Sequence, residues 1–326
     1  MARASLSAYL LRRLISLVPV WIGISILAFV AANLAPGDPA QMILQRETGV
    51  PPSAEAVRQL RGELGLDAPP VVRYVRWAGR AVTGDLGLSY RTGLPVTTTL
   101  LDALPNTLRL TLAALFLGVI VALPVGILAA VRRNTAIDQL SRVLALIGTS
   151  VPSFLLGYLL ILFFAVMLGV LPATGSDGWR YLVLPALTLA LSEAGALTRL
   201  TRAGMLEVLG EDYVVTARAK GVGRRSVLLR HALRNAINPI VSLAGVRLGR
   251  LLGGAFIVET IFARPGIGKT VVDSILDRDY PTIQGFIVVM GTLLVAINLV
   301  VDLGHLWLDP RIRERAAAPA APPLTR

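Results

Sequence analysis

The chain has 326 residues, of which 54% are hydrophobic and only 16% are charged, and its mean hydropathy is +0.67. Soluble globular domains carry roughly 25% charged residues, so this composition argues against an ordinary soluble protein. Lys and Arg number 32 against 20 Asp and Glu, which gives a formal net charge of +12. Cysteine is absent and there are two histidines, which excludes disulfide frameworks, cysteine-based zinc sites, thiol nucleophiles and a histidine-rich metal site.

Six apolar stretches are long enough to cross a bilayer as helices, because about 20 residues span roughly 30 Å of hydrocarbon. They are residues 14–34, 107–131, 143–171, 182–201, 237–262 and 283–303. We therefore predict an all-α integral membrane protein with six transmembrane helices. The first stretch follows Arg12 and Arg13, as in a signal peptide, but its apolar run is longer than that of a signal sequence, so we expect an uncleaved anchor.

Basic residues are concentrated on one side of the predicted spans. If the amino terminus is cytoplasmic, the cytoplasmic segments account for the whole charge of +12, and the outer segments are close to neutral. Because cytoplasmic loops of membrane proteins are enriched in Lys and Arg, we predict that both termini are cytoplasmic. The positive charge is then a topology signal and gives no support to nucleic acid as a partner.

The predicted spans divide the chain into four parts. These are residues 1–35 with the cytoplasmic terminus and first span, an extracytoplasmic segment at 36–104, a core of five spans at 105–304, and a cytoplasmic tail at 305–326. In the outer segment, Ser53 is expected to cap a short helix that ends at Gly65, and Pro69-Pro70 to start a second helix. Packing against the span ends and docking of an extracytoplasmic partner both remain open for this segment.

The longest predicted cytoplasmic segment covers residues 202–238, between the fourth and fifth spans. Glu207, Glu211 and Asp212 come first, and a basic stretch follows as far as Arg234. Acidic residues at the start of a helix suit its dipole, and Gly221 suits its C-terminal end. We predict a short helix on the inner surface; contact with anionic lipid explains the charge but not the turn.

The fifth span contains both small and charged residues. Gly245, Gly249 and Gly253 recur every four residues, which predicts close approach of a neighbouring helix. Arg247 and Arg250 lie at membrane depth, where ionisable groups pair or line a polar cavity. The other charged residues placed within spans are Glu193, Glu259 and Asp302. Ion pairing and a translocation path remain alternatives for these groups.

One segment nearly fits the phosphate-binding loop GxxxxGK[ST]. It runs from Ala263 to Thr270 and lacks only the first glycine. That motif needs a strand, a following helix and a soluble α/β sheet, whereas this segment lies between two predicted spans on the side that lacks ATP. We expect no nucleotide here.

Short motifs follow one another in a specific order along nearly the whole chain. The first half contains Pro36-Gly37-Asp38-Pro39, Leu64-Gly65-Leu66-Asp67 with Tyr74 and Trp77, Gly84-Asp85-Leu86-Gly87 and Pro105-Asn106-Thr107-Leu108. The second half contains Thr216-Ala217-Arg218-Ala219-Lys220-Gly221, His231-Ala232-Leu233-Arg234-Asn235, Glu259-Thr260-Ile261-Phe262, Pro265-Gly266-Ile267-Gly268, Arg278-Asp279-Tyr280-Pro281 and Asp309-Pro310-Arg311-Ile312-Arg313. In this order they resemble the inner-membrane permease subunits of ABC importers for dipeptides, oligopeptides and nickel.

The resemblance implies the ABC importer permease fold, and it implies that residues 207–235 contain the family's EAA-type loop, whose helix seats in a groove of a cytoplasmic ATPase subunit. The coupling residues would be Glu211, Asp212, Tyr213, Thr216, Ala217, Arg218, Ala219, Lys220 and Gly221. The chain has Val215 where the general pattern has Glu, and His231 to Arg234 where many permeases end in Ile-x-Leu-Pro. Both departures are similar to the peptide and nickel branch.

The same resemblance implies a transport subunit with no catalytic residues, which forms a path for dipeptides or oligopeptides across the inner membrane. Its partners would be a second permease, two ATPase subunits and an extracytoplasmic solute-binding protein; ATP and Mg²⁺ would bind the ATPase subunits, and no cofactor or metal is expected in this chain. Path residues would come from Glu193, Arg247, Arg250 and Glu259.

Other substrates and another class of transporter remain alternatives. Nickel complexes and glutathione-type compounds are the other substrate classes. A self-sufficient secondary transporter would use Glu193, Arg247, Arg250 and Asp302 as an ion path, although no repeated half is evident. An intramembrane enzyme would need a catalytic constellation, and the sequence contains no Cys, HExxH or GxSxG.

Overall fold

The computed structural model of the chain describes residues 2–34 and 37–308. Within these ranges the backbone forms helices and turns without any β-strand, apart from one isolated bridge between Leu88 and Pro95. Pro36 and the predicted motif at 309–313 lie outside the described residues, as do the side chains of His231, Arg234 and Asn235.

Helices occur at all six predicted spans. The first seven are α1 (Ala2–Leu34), α2 (Pro39–Thr48), α3 (Ala54–Glu63), α4 (Pro70–Val82), α5 (Val96–Val131), α6 (Ala136–Ser150) and α7 (Ser153–Leu160), which continues as a π-helix over Ile161–Met167. The others are α8 (Arg180–Leu209), α9 (Asp212–Ala219), α10 (Arg224–Ser226) with a π-helix over Val227–Ala232, α11 (Leu233–Ile261), α12 (Ile267–Leu276) and α13 (Tyr280–Leu308).

By length and composition, the described residues contain four helices able to cross a membrane, or five if the bent pair of α6 and α7 is one span. The four are Ile15–Leu34, Val96–Val131, Arg180–Leu209 and Tyr280–Gly304. The pair bends by 104° where Pro152 interrupts the helix. Helix α11 is not among these candidate membrane spans of the described residues. It carries three charged residues, Arg247, Arg250 and Glu259.

The local helix signals predicted in residues 36–104 are confirmed. The Ser53 hydroxyl accepts a hydrogen bond from the Ala56 amide at 3.2 Å, which caps α3, and Gly65 follows with a φ of +66°. Helix α4 begins at the predicted proline pair.

Two helices were not predicted, α2 and α12. Asp38 caps α2 through the Ala40 amide at 3.0 Å, with Pro39 in the first turn.

Contacts divide the chain into two compact units, residues 1–105 with 269–295 and residues 106–268 with 296–326. The first unit has a core made of Ala28, Phe29, Trp77, Leu86, Val96, Leu100 and Val288. Its buried carboxylate, Asp279, accepts hydrogen bonds from the Ser89 hydroxyl at 2.6 Å, the Tyr90 amide at 2.8 Å and the Thr282 hydroxyl at 2.7 Å. This carboxylate ties the turn before α5 to the start of α13.

The second unit is built around a core of Leu110, Ala114, Leu184, Ala186, Leu189, Leu251, Ala255, Val258 and Phe262. Small residues let its helices approach closely. A Cβ at Gly195 of α8 would collide with the Ala145 carbonyl of α6, and one at Gly148 of α6 would lie 2.8 Å from the Leu191 carbonyl of α8. Since lipid gives no hydrophobic drive between helices, such close packing is what holds spans together.

Candidate functional site

The predicted coupling residues form a short helix. Helix α9 covers Asp212–Ala219, Glu211 precedes it with extended backbone, and Lys220 ends it. Gly221 follows with a φ of +77°, a conformation that favours glycine, and the Val222 amide donates to the Ala217 carbonyl at 3.1 Å. The predicted helix end at Gly221 is therefore confirmed.

A single side chain of α9 is fully buried. This is Val214, while the helix contacts α8 and the π-helix that precedes α11. Ala217 is half-buried. The other predicted coupling residues are exposed to solvent: Glu211, Asp212, Tyr213, Thr216, Arg218, Ala219, Lys220 and Gly221. The helix is thus anchored along one line and presents polar, aromatic and small side chains on the rest of its surface.

The two arginines of α11 differ in their surroundings. Arg247 forms an ion pair with Glu193 of α8 at 3.0 Å, and both side chains are mostly buried. Arg250 is exposed, and it forms no ion pair with any residue that the structure describes. It lies eleven residues before the end of α11, or about 16 Å at 1.5 Å per residue. A charge at the centre of a bilayer costs about 2.5–3.5 kcal/mol on insertion scales, so this side chain needs a polar environment.

Arg250 belongs to an exposed stripe along α11. The stripe consists of Val246, Arg250, Gly253, Phe256 and Thr260, which recur every three or four residues and so share one face of the helix. We call it the α11 stripe. The predicted packing of the glycine series is right at Gly245, where a Cβ would lie 2.6 Å from Val301, but wrong at Gly253, where a Cβ would meet open space.

Glu259, another predicted path residue, lies off the α11 stripe and is fully buried. Its carboxylate accepts a hydrogen bond from the Thr107 hydroxyl at 2.5 Å, and the Thr107 oxygen accepts one from the Ile267 amide at 2.9 Å. The neighbouring Asn106 amide group donates to the Pro265 carbonyl at 2.8 Å. Three motifs of the sequence thus meet in one set of contacts, which we call the Glu259 cluster.

The segment that resembles a phosphate-binding loop is part of this cluster. A Cβ at Gly266 would collide with the Glu259 carboxylate, and one at Gly268 would collide with the Phe256 backbone. The two glycines therefore serve close packing against α11. Arg264 is buried beside them and donates to the Tyr181 carbonyl at 3.1 Å; burial lowers the pKa of its guanidinium, while Glu259 opposes that shift.

A further buried carboxylate, that of Asp138, was not foreseen from the sequence. Asp138, in the first turn of α6, is fully buried and accepts two hydrogen bonds from Arg202 of α8, at 2.6 and 2.8 Å. It also accepts the Asn134 amide at 3.0 Å. A bidentate ion pair of this kind fixes the relative position of α6 and α8. Its sequence signal was an acidic residue among many basic ones, and nothing in the pattern connects positions 64 residues apart.

No group of three or more His, Cys, Asp or Glu side chains capable of holding a metal ion occurs among the described residues. A surface pocket of about 310 Å³ lies in the first unit, lined by Met42, Ile43, Gln45, Arg46, Tyr90, Leu276, Asp277 and Arg278. Asp277 forms ion pairs there with Arg46 at 3.4 Å and Arg91 at 3.6 Å. Two of the charged groups that line the pocket, Arg46 and Asp277, are therefore paired with each other.

Known proteins resemble this chain in sequence and in fold. The glutathione transport system permease protein GsiC of Escherichia coli strain K12 is 42% identical over 305 residues, which cover 94% of this chain and 98% of the relative. GsiC of Shigella dysenteriae serotype 1 matches with the same identity and coverage.

Among solved structures, an inward-facing MetNI methionine ABC transporter matches with a TM-score of 0.52 at 23% identity, over 67% of this chain and 96% of the other. An amino acid ABC transporter with histidines matches with a TM-score of 0.51 at 17% identity, over 65% of this chain and 94% of the other. At these identities the likeness concerns the fold. It agrees with the predicted all-α membrane architecture.

The family models cover both units of the chain. Residues 6–111 match the N-terminal part of binding-protein-dependent transport system membrane components, and residues 122–314 match the inner membrane component of those systems. Together with relatives that align over nearly their whole length, these matches show that the chain belongs to the family of inner membrane components of binding-protein-dependent transport systems, the permease subunits of ABC importers.

Proposed function

We propose that this chain forms part of the translocation path for glutathione or similarly short peptides, and that α9 couples the path to a cytoplasmic ATPase subunit. Membership of the family establishes the coarser statement: the chain is a multi-pass permease subunit of an ABC importer in the inner membrane. It is not itself an enzyme, since ATP hydrolysis in these transporters belongs to a separate subunit. ATP and Mg²⁺ would bind that subunit.

The observation that carries the coupling assignment is the architecture of α9. It is anchored by Val214, and Thr216, Arg218 and Lys220 are exposed on a surface that a partner can contact. Because α8 ends at Leu209, only three residues before α9 begins, a displacement of α9 acts directly on α8. A rigid connection of this type converts movement of an ATPase dimer into movement of the spans.

The α11 stripe supports a path for anionic substrates. Arg247 is neutralised by Glu193, so Arg250 contributes the positive charge of this face. Facing a water-filled path rather than lipid would relieve the cost of placing that charge at membrane depth. Glutathione and other short peptides carry carboxylates that a guanidinium binds. The relatives' name supports glutathione within the wider class of dipeptides and oligopeptides that the sequence led us to expect.

The assembly follows from the family in general terms: a partner permease, ATPase subunits and a solute-binding protein. We assign α9 to the cytoplasmic side, with both termini, because the basic residues from Arg199 to Arg234 surround it. The segment at 36–104 would then lie outside, where a solute-binding protein delivers substrate.

Reconstitution tests the function. We expect the complete transporter in proteoliposomes to take up labelled glutathione only with internal ATP, its binding protein and both ATPase subunits present. We also expect Arg250→Gln to lower the uptake rate, with Arg133→Gln, at an exposed position in the turn between α5 and α6, as the matched control. Uptake by the chain alone, driven by an ion gradient, would contradict the assignment. Uptake of dipeptides in place of glutathione would agree with the importer assignment but would replace glutathione with dipeptides as the substrate.

Co-purification tests the coupling assignment. Ala217→Arg places a long charged side chain at the half-buried position of α9, and we expect it to abolish association with the ATPase subunit. Ala54→Arg, at an exposed position of α3 in the outer segment, should leave association intact. Normal association and transport in the Ala217→Arg variant would refute a coupling role for α9.

A further inference from the structure

Helix α4 has an apolar stripe that no described residue covers. The exposed fractions are 72% at Val71, 63% at Val75 and 79% at Val82. These positions are four and seven residues apart, so they line one face of the helix. Single exposed valines are ordinary in proteins, but an aligned row on one helix is typical of a contact surface.

A different face of α4 packs on α1. The Tyr74 hydroxyl and the Ser25 hydroxyl share a hydrogen bond at 2.8 Å, and the Phe29 ring lies edge-on to Tyr74 at 5.5 Å. Trp77 is buried in the same core. These contacts fix the height of α4 relative to the first span.

That height falls within the membrane span. The span covers Ile15–Leu34, so Ser25 lies nine residues before its end, or about 13 Å at 1.5 Å per residue. Only 6% of the span's most apolar stretch is buried, and Leu27 and Leu34 are among its exposed side chains. A helix that contacts Ser25 and Phe29 therefore reaches into the leaflet that surrounds this end of α1.

We propose that α4 is an interfacial helix, with the stripe of Val71, Val75 and Val82 inserted among the lipid acyl chains and its arginines at the level of the phosphates. Arg76 and Arg80 are exposed one turn apart, and at 3.6 residues per turn they lie about 140° around the helix from the stripe. A helix with an apolar stripe, a basic face and no acidic residue fits this position. Tyr74 and Trp77 have the amphipathic rings typical of the membrane interface.

Lipid fits this surface better than a protein partner. Helix α4 contacts α1, whose most apolar stretch is only 6% buried. The charges of α4 are all positive, which suits a layer of phosphates. The assignment depends on the membrane span of α1 and is independent of the substrate and of the coupling helix.

Site-directed spin labelling tests the position of α4. Because the chain has no cysteine, labels can be placed singly at Val71→Cys, Val75→Cys and Val82→Cys, in the complete transporter in nanodiscs of phosphatidylethanolamine and phosphatidylglycerol. Arg58→Cys, at an exposed position of α3 in the same unit, is the control. We expect the ratio of collisions with oxygen, which concentrates in lipid, to collisions with a water-soluble nickel chelate to be several-fold higher at the three valine positions than at the control.

Two results would overturn the proposal. Equal ratios at the valine and control positions would place the stripe in water. Low collision rates with both reagents at all three positions would show that protein covers the stripe. ATP-driven uptake by each labelled variant confirms that it is folded, and the three separate positions keep the test valid if one variant does not assemble.

Discussion

The Glu259 cluster and α9 are both built from motifs of the family, yet they are constructed in opposite ways. In the cluster, a fully buried carboxylate, the Thr107 hydroxyl and the Ile267 amide form a chain of two hydrogen bonds, and Gly266 and Gly268 leave no room for a side chain. In α9 one valine is buried and nearly every other side chain faces solvent.

This difference in burial indicates different roles for the Glu259 cluster and α9. A buried hydrogen-bonded chain stabilises the fold, since removal of one member takes a hydrogen bond from its neighbours in a region of low dielectric constant. An exposed short helix contributes little to the stability of its own chain, which suits the contact with a partner that we propose for α9. Mutations in the cluster should therefore alter folding, whereas mutations in α9 should alter transport.

The largest effect is expected for Gly268→Val. The new side chain would overlap the Phe256 backbone and the Glu259 carboxylate. Because backbone cannot rotate away, we expect a cost above the range of about 1–3 kcal/mol that is typical of overpacked cores. We expect a large loss of monodisperse transporter after detergent extraction, measured by size-exclusion chromatography. Gly253→Val is the control on α11, because a Cβ there meets nothing within 4 Å. Equal yields of the two variants would show that the cluster is not tightly packed.

A smaller effect is expected for Thr107→Val, which keeps the shape of the side chain and removes its hydroxyl. The Ile267 amide and the Glu259 carboxylate would each lose a partner, at a cost of about 1–3 kcal/mol. We expect a lower thermal unfolding temperature of the purified transporter. Thr107→Ser retains the hydroxyl and should unfold close to the wild-type temperature; equal destabilisation by both variants would assign the effect to packing.

The smallest effect on stability is expected for Gly221→Ala, at the end of α9. The left-handed backbone at φ of +77° disfavours alanine by roughly 1–2 kcal/mol, which acts locally on the helix end. We expect normal yield with reduced coupling between ATP hydrolysis and uptake. Gly223→Ala, two residues away, meets open space without a left-handed φ and should couple normally. A fall in yield as large as that of Gly268→Val would contradict the expectation that α9 affects transport and the Glu259 cluster affects folding.

Features encoded by adjacent residues were predictable from the sequence. Length and hydropathy located helices at the spans, Ser53 and Gly65 delimited α3, and Gly221 ended α9. Features that depend on distant residues were not. No local signal predicts the hydrogen bonds between Thr107 and Glu259 or between Asp138 and Arg202. Apolar spans of similar composition can pack in many arrangements.

The two arginines of α11 show this limit most clearly. Their partners were narrowed to three acidic residues from the sequence, and the structure selects Glu193 for Arg247. The exposure of Arg250 and Gly253 depends on which face of α11 the neighbouring helices occupy. Helical spacing placed the glycines on one face but did not show how far along that face the neighbour extends.

The contact between α6 and α8 determines whether these two helices can move independently of each other. Gly195 and Gly148 bring the two backbones together, and Asp138 clamps their ends to Arg202. Helices interlocked through backbone atoms cannot slide past each other without steric overlap. If α9 couples to an ATPase subunit as proposed, a displacement transmitted to α8 would move α6 with it, and α7 would follow through the bend at Pro152.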